Sequence, residues 1–162
     1  MKTKLLLFPL LAACLAFTAC NFTAPLTAGP TRQIDGRLLG KWVGTDGNDA
    51  VLLIVRRLDD SNYVVADNND LYRAFHSDFA DLPFLSVQNL QPGEGDRKYT
   101  YMTWQLSPDG AQLVLRSVNP KIIPEQNTPT AGMQKLIKEN LKNPALFNDD
   151  ALTLTHAKSG VR

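Results

Sequence analysis

The sequence predicts a mainly β domain: a small antiparallel eight-stranded barrel or strongly curled sheet, with one α-helix at about 129–142 before the last strand. Three observations lead there. From Asp35 onward, apolar runs are broken by turn-forming residues roughly every eight to twelve positions, the rhythm of short antiparallel strands. Within these runs apolar and polar residues alternate, which gives a strand one inward and one outward face. A single stretch before Pro144 changes instead to steps of three and four, the period of a helix face.

The first strand is expected over 38–44 and the second over 50–57, joined through Asp46-Gly47, a pair that tolerates positive φ. Asp59-Asp60-Ser61-Asn62 turns into a strand at 63–66, and Asn68-Asn69-Asp70 into one at 71–76. A fifth run, 84–90, follows Pro83. The loop Gln91-Pro92-Gly93-Glu94-Gly95-Asp96 leads into 98–106. There Thr100, Met102, Trp104 and Leu106 share one face and Tyr99, Tyr101, Thr103 and Gln105 the other. Ser107-Pro108-Asp109-Gly110 places Pro at the second position of a turn, and Leu113 and Leu115 continue the inward face on the returning strand.

After Pro120 the alternation breaks, and 121–126 form a connector. Thr128 supplies a helix N-cap and Pro129 its first position. Met133, Leu136, Ile137 and Leu141 make the apolar side, with Lys135, Lys138, Glu139 and Lys142 in water. Residues 151–156 alternate Leu152 and Leu154 with Thr153 and Thr155 as a last strand, before a polar tail at 158–162. Closing these strands into a barrel removes exposed edges; an open sheet curled around the helix is the alternative.

The N-terminus carries an address. Lys2 and Lys4 precede fifteen uncharged residues, 5–19, which end Phe17-Thr18-Ala19-Cys20. As a helix that run rises about 22 Å, short of a hydrocarbon core of roughly 30 Å. Small residues directly before a cysteine resemble the lipobox of bacterial lipoproteins. That resemblance implies acylation of Cys20, which becomes the mature N-terminus. Leu11-Ala12-Ala13-Cys14 fits the four-residue pattern better, yet cutting before Cys14 leaves a short apolar region, so length favours Cys20. The expected organisation is a signal peptide at 1–19, a lipidated Pro- and Thr-rich tether at 20–34, a barrel-like domain at 35–157 and a tail at 158–162.

Lys and Arg number 17 against 16 Asp and Glu, so the basic footprint of a nucleic-acid binder is missing. Removal of the signal takes Cys14 and both N-terminal lysines with it. The remaining chain then has no thiol for a disulfide, a nucleophile or a thiolate metal site besides the lipidated Cys20.

Leu38-Leu39-Gly40-Lys41-Trp42 resembles the Gly-x-Trp opening strand of lipocalins and related calycin barrels, and the late helix is similar to their layout. The resemblance implies a barrel around a small apolar ligand and an arginine packed across Trp42, for which Arg116 and Arg57 are the nominees. Residues 63–90, with Phe75, His76 and Phe84-Leu85, also resemble secreted bacterial proteins of unassigned function.

Catalytic signatures are weak. His76 and His156 are the two imidazoles, with Asp78 and Asp81 near the first, but their spacing specifies neither a hydrolytic nor a metal site. Ser77, Ser86 and Ser107 lack the context of a nucleophile elbow. Asp46-Gly47-Asn48-Asp49 lacks the spacing of a calcium loop and reads as a turn. The chain is therefore expected to be a non-enzymatic lipoprotein of the cell envelope, on the periplasmic side of the outer membrane, without cofactor or metal. Its domain would be an interaction or structural module with a filled interior, using Tyr99 and Tyr101 as an outward contact stripe. The alternative is a lipocalin-like carrier of a small apolar ligand, with Trp42, Met102 and Trp104 lining a cavity.

Overall fold

The computed structural model of the chain describes residues 22–67, 70–91, 98–124 and 128–157. The signal region with Cys14 and Cys20, the loop residues 92–96 and the tail lie outside these. Eight strands form a closed antiparallel barrel in chain order: β1 Gly40–Asp46, β2 Asp49–Arg57, β3 Asn62–Asp67, β4 Asp70–His76, β5 Phe84–Asn89, β6 Tyr99–Leu106, β7 Gln112–Ser117 and β8 Leu152–His156. The helix α1, Thr130–Asn140, precedes β8.

Each strand pairs with the next, and β8 returns to β1 with Trp42 opposite His156 and Gly44 opposite Leu154. No strand is left at an edge, which is how a meander of short strands avoids pairing with other chains. The β1–β2 hairpin has Asp46 opposite Asp49, so Gly47 and Asn48 are its central residues. Gly47 sits at φ +58, as a mirror-image hairpin turn requires at its first central position. The turn thus lies one residue later than Asp46-Gly47 suggests.

Alternation sorts the side chains into two apolar cores. Inside the barrel Trp42, Leu53, Val55, Leu85, Trp104 and Leu154 pack together, with Leu38 closing one end from a short 3-10 turn, Gly36–Leu38. Outside the wall of β5 and β6, Met133 and Ile137 of α1 cover Phe84 and Tyr101, joined by Phe22, Leu26 and Ile123. Met133 and Ile137 are one turn apart, as expected of an amphipathic helix.

The segment 22–34 is not a loose tether. Phe22 and Leu26 are fully buried. Because β7 reaches only as far as Ser117, opposite Met102, the start of β6 keeps free backbone groups on that side. Phe22 fills the place, with its N–H on the Tyr99 carbonyl at 2.8 Å and its carbonyl on the Tyr99 N–H at 2.7 Å. Its ring stacks on Tyr101 with centroids 4.3 Å apart, and the Tyr101 hydroxyl donates to the Ala24 carbonyl.

The N-cap of α1 also differs from expectation. Pro129 occupies that position without a side-chain cap, and the helix begins at Thr130. Thr130 Oγ1 instead donates to the Pro25 carbonyl at 2.8 Å, and Gln134 Nε2 to the Leu26 carbonyl at 2.9 Å. The first turn of the helix is thereby fastened to the N-terminal segment.

Candidate ligand cavity

The barrel interior is not filled. A cavity of about 100 Å³ runs inward from the β3–β4 end, with Leu38 at its base. Its walls are apolar side chains facing one another across strand pairs, including Leu53, Val55, Val65, Val87 and Leu115. Leu38, Tyr63, Ala74 and Leu85 at the inner part are buried, whereas Val65, Asp67, Tyr72, Val87 and Thr100 are half-buried. The cavity therefore opens where β3 turns into β4 and β5 leads into β6.

Of the expected ligand residues, Met102 lines this space. Trp42 and Trp104 belong to the packed inner core instead and are absent from the wall. Trp42 donates its indole N–H to the Leu38 carbonyl at 2.9 Å and meets the edge of His156 at 4.7 Å. The tryptophan of the Gly40-Lys41-Trp42 motif thus locks the closed end, because its one polar atom is satisfied by the turn that seals the barrel. Gly40 has φ +136, and a Cβ there would stand 2.4 Å from His156 Nε2. Glycine is demanded by both the backbone and the imidazole beside it.

Neither nominated arginine lies across Trp42. Arg57 is exposed and pairs with Asp60 at 3.3 Å, while Arg116 is on the outer face of β7, opposite Thr103. Arg32 instead lies over a tryptophan, its guanidinium 5.3 Å from the Trp104 ring centre and bonded to Asp78 at 2.7 Å, while Arg73 lies over Phe75 at 5.4 Å. The outward stripe of Tyr99 and Tyr101 is real in register but covered by the chain's own Phe22 and by the core beneath α1. Tyr101 is fully buried, so it offers no contact surface to a partner.

Two polar features frame the cavity. At the closed end the Asp35 N–H donates to Tyr63 Oη at 2.5 Å, and Tyr63 Oη is hydrogen-bonded to His76 Nε2 at 2.8 Å. His76 is fully buried, and its pKa is lowered to about 4 by burial, then by the Arg32 charge, against the opposing pull of Asp78 and Asp35. His76 Nδ1 has no hydrogen-bond partner, and neither has Trp104 Nε1 nearby. His156 sits apart from this set, on Trp42 and the Leu39 carbonyl. Ser77 and Ser86 are buried on each other at 2.7 Å, with the Leu26 N–H on Ser86 Oγ. Among the described residues no group of three His, Cys, Asp or Glu side chains is placed to hold a metal ion.

At the open end stands Asp67, opposite Leu53 and Asp70 in register. Its Oδ1 is buried without a partner, and burial, then the neighbouring Asp70 carboxylate, raises its pKa. Tyr72 lines the mouth and donates to Asp70 Oδ2 at 3.2 Å; burial and then Asp70 push its phenol up as well. Tyr63 and Tyr72 line the cavity, as strand aromatics were expected to, whereas Asp67 was missed because it sits beside a turn. The available signal is the alternation Tyr63, Val65, Asp67, which carries the inward face of β3 to the barrel mouth.

No family model, curated protein or solved structure matches the chain significantly. The eight-stranded antiparallel barrel is compatible with a lipocalin-like fold.

Proposed function

We propose that this chain is a small carrier that holds an apolar molecule, or the apolar end of one, inside its barrel. The observation that carries the reading is an apolar cavity of about 100 Å³ opening at one end of a closed barrel. An apolar cavity of roughly 150 Å³ stays dry and accepts benzene or xenon, whereas pockets for drug-sized ligands run from about 300 Å³. The occupant is therefore about six heavy atoms in size. Burying six carbons at about 0.8 kcal/mol each gives roughly 5 kcal/mol, a dissociation constant of a few tenths of a millimolar.

The address belongs to the same proposal. Lys2 and Lys4, the uncharged run and Cys20 support a lipid-anchored protein of the bacterial cell envelope, on the periplasmic side of the outer membrane. The chemistry proposed is binding rather than catalysis. A second reading, docking of an envelope protein, is supported by Val43 and Leu52, which are cross-strand partners on the outer wall and 42% and 38% exposed.

Titrating the purified protein with benzene tests the carrier reading. Saturable binding is expected, and it should be lost in Ala74→Leu, which projects three more carbons into the cavity while keeping an apolar wall. Unchanged benzene binding in a folded Ala74→Leu protein places the ligand elsewhere and overturns the reading.

A further inference from the structure

The cavity offers hydrocarbon to an occupant, because the carboxylate in its wall, Asp67, has its Oδ1 enclosed by protein. An occupant's polar end therefore stays outside, and what surrounds the rim decides where the occupant comes from. The N-terminal segment starts at that rim. Phe22 is bridged to Tyr99, the first residue of β6, next to the mouth residue Thr100. From there the segment descends the outer wall, with the Leu26 N–H on Ser86 Oγ and the Thr31 N–H on the His76 carbonyl near the closed end. Only Asn21 separates Phe22 from Cys20, and two residues span at most about 7 Å. From Tyr99 to the far end of β6 at Leu106 is about 23 Å of strand. Acyl chains on Cys20 therefore start from the mouth end of the barrel.

Apolar side chains continue around the same rim. Leu71, 45% exposed, stands one residue beyond the β3–β4 turn, and its carbonyl accepts from the Leu90 N–H at 2.9 Å. Leu90 and Tyr99 are half-buried. Leucine and tyrosine there suit the boundary between lipid heads and acyl chains. The turns at this end carry Asp46, Asp49 and Asp70, so attraction to anionic lipid is not what holds it on a membrane.

We infer that the open end of the barrel is a membrane-contact face: the barrel stands mouth-first on the phospholipid bilayer that holds the Cys20 acyl chains, and the cavity opens onto lipid. The inference rests on the anchored-carrier reading and adds the barrel's orientation and the source of its occupant. The hydrocarbon end of a membrane lipid enters the cavity while its head stays at the bilayer surface.

The test uses the acylated protein extracted from membranes, its anchor checked by mass, with a bimane fluorophore on Leu71→Cys at the mouth or on Leu58→Cys at the opposite end. Both side chains are exposed, 45% and 54%, so neither label enters the core. Leu71 is level with Ala66 and Leu58 with Asn62, about 13 Å apart along β3. Each labelled protein is placed in phosphatidylcholine vesicles with brominated acyl chains, which quench bimane on contact. Bimane at position 71 is expected to lose most of its fluorescence relative to unbrominated vesicles, and bimane at position 58 to keep its own. Equal losses at the two positions, loss at 58 alone, or loss at neither overturns the inference while the anchor stands. A mass without acyl chains overturns the anchor and the inference together, and the benzene titration reads the carrier independently of both.

Discussion

Lowering the pH should destabilise this protein through His76 before its carboxylates contribute. The imidazole is fully buried beneath residues 31–35, with Nε2 hydrogen-bonded to Tyr63 Oη. In the fold its pKa is about 4, against 6.5 for an exposed histidine, because burial and then Arg32 disfavour the cation. Between those values the unfolded chain binds a proton that the native one refuses, so stability rises with pH across that window and is lost as pH falls through it. At about 1.36 kcal/mol per unit, the full effect is roughly 3 kcal/mol, of which about 2 kcal/mol falls between pH 7 and pH 5. Asp35, Asp59 and Asp109 have pKa values lowered from 3.8, so the stability they contribute is lost only at lower pH. Asp67 shifts the opposite way and acts equally in wild type and in a His76 variant. The assay is urea unfolding of wild type and His76→Gln at pH 7 and pH 5. Wild type should lose about 2 kcal/mol more than the variant over that interval. Parallel losses would show that His76 is not held neutral by its surroundings.

Other substitutions read other parts of the account. Leu26→Ala should cost about 2–5 kcal/mol in denaturant unfolding, as a truncation in a packed core does; a change below about 0.5 kcal/mol would mean that the N-terminal segment is a tether after all. Gly40→Ala should cost at least about 2 kcal/mol, from its positive φ and the clash with His156, and adding His156→Ala should recover only the clash. Mass spectrometry of the membrane-extracted protein should show an acylated N-terminal cysteine that Cys20→Ser abolishes. An acylated mass that survives Cys20→Ser but not Cys14→Ser would move the anchor to Cys14.

The strands were legible because each is short, alternates and ends at turn chemistry that acts locally. All eight are present, with ends within two residues of those expected where both ends were assigned, and α1 lies before the last of them. The inward set of β6 was readable too: Thr100 and Met102 face the cavity and Trp104 the inner core. What alternation cannot convey is what covers the outer face. Tyr101 points away from the barrel as its register demands, yet it is buried because Phe22 arrives from 79 residues away in sequence. The Pro- and Thr-rich composition of 22–34 concealed Phe22 and Leu26, two apolar side chains whose burial depends on the unpaired start of β6. The cavity was invisible for a related reason. Whether eight strands enclose side chains or space depends on how far Trp42 and Trp104 reach, and both settle in the packed inner core, leaving the wall between Leu53 and Val87 uncovered.

The central claim is that the interior is empty, apolar and reachable. Crystals of the protein pressurised with xenon test it directly, because xenon enters dry cavities of this size without needing a polar partner. The account predicts a xenon site inside the barrel, among Leu53, Val65, Val87 and Leu115. Side chains filling that space, with xenon absent from the interior, would contradict it.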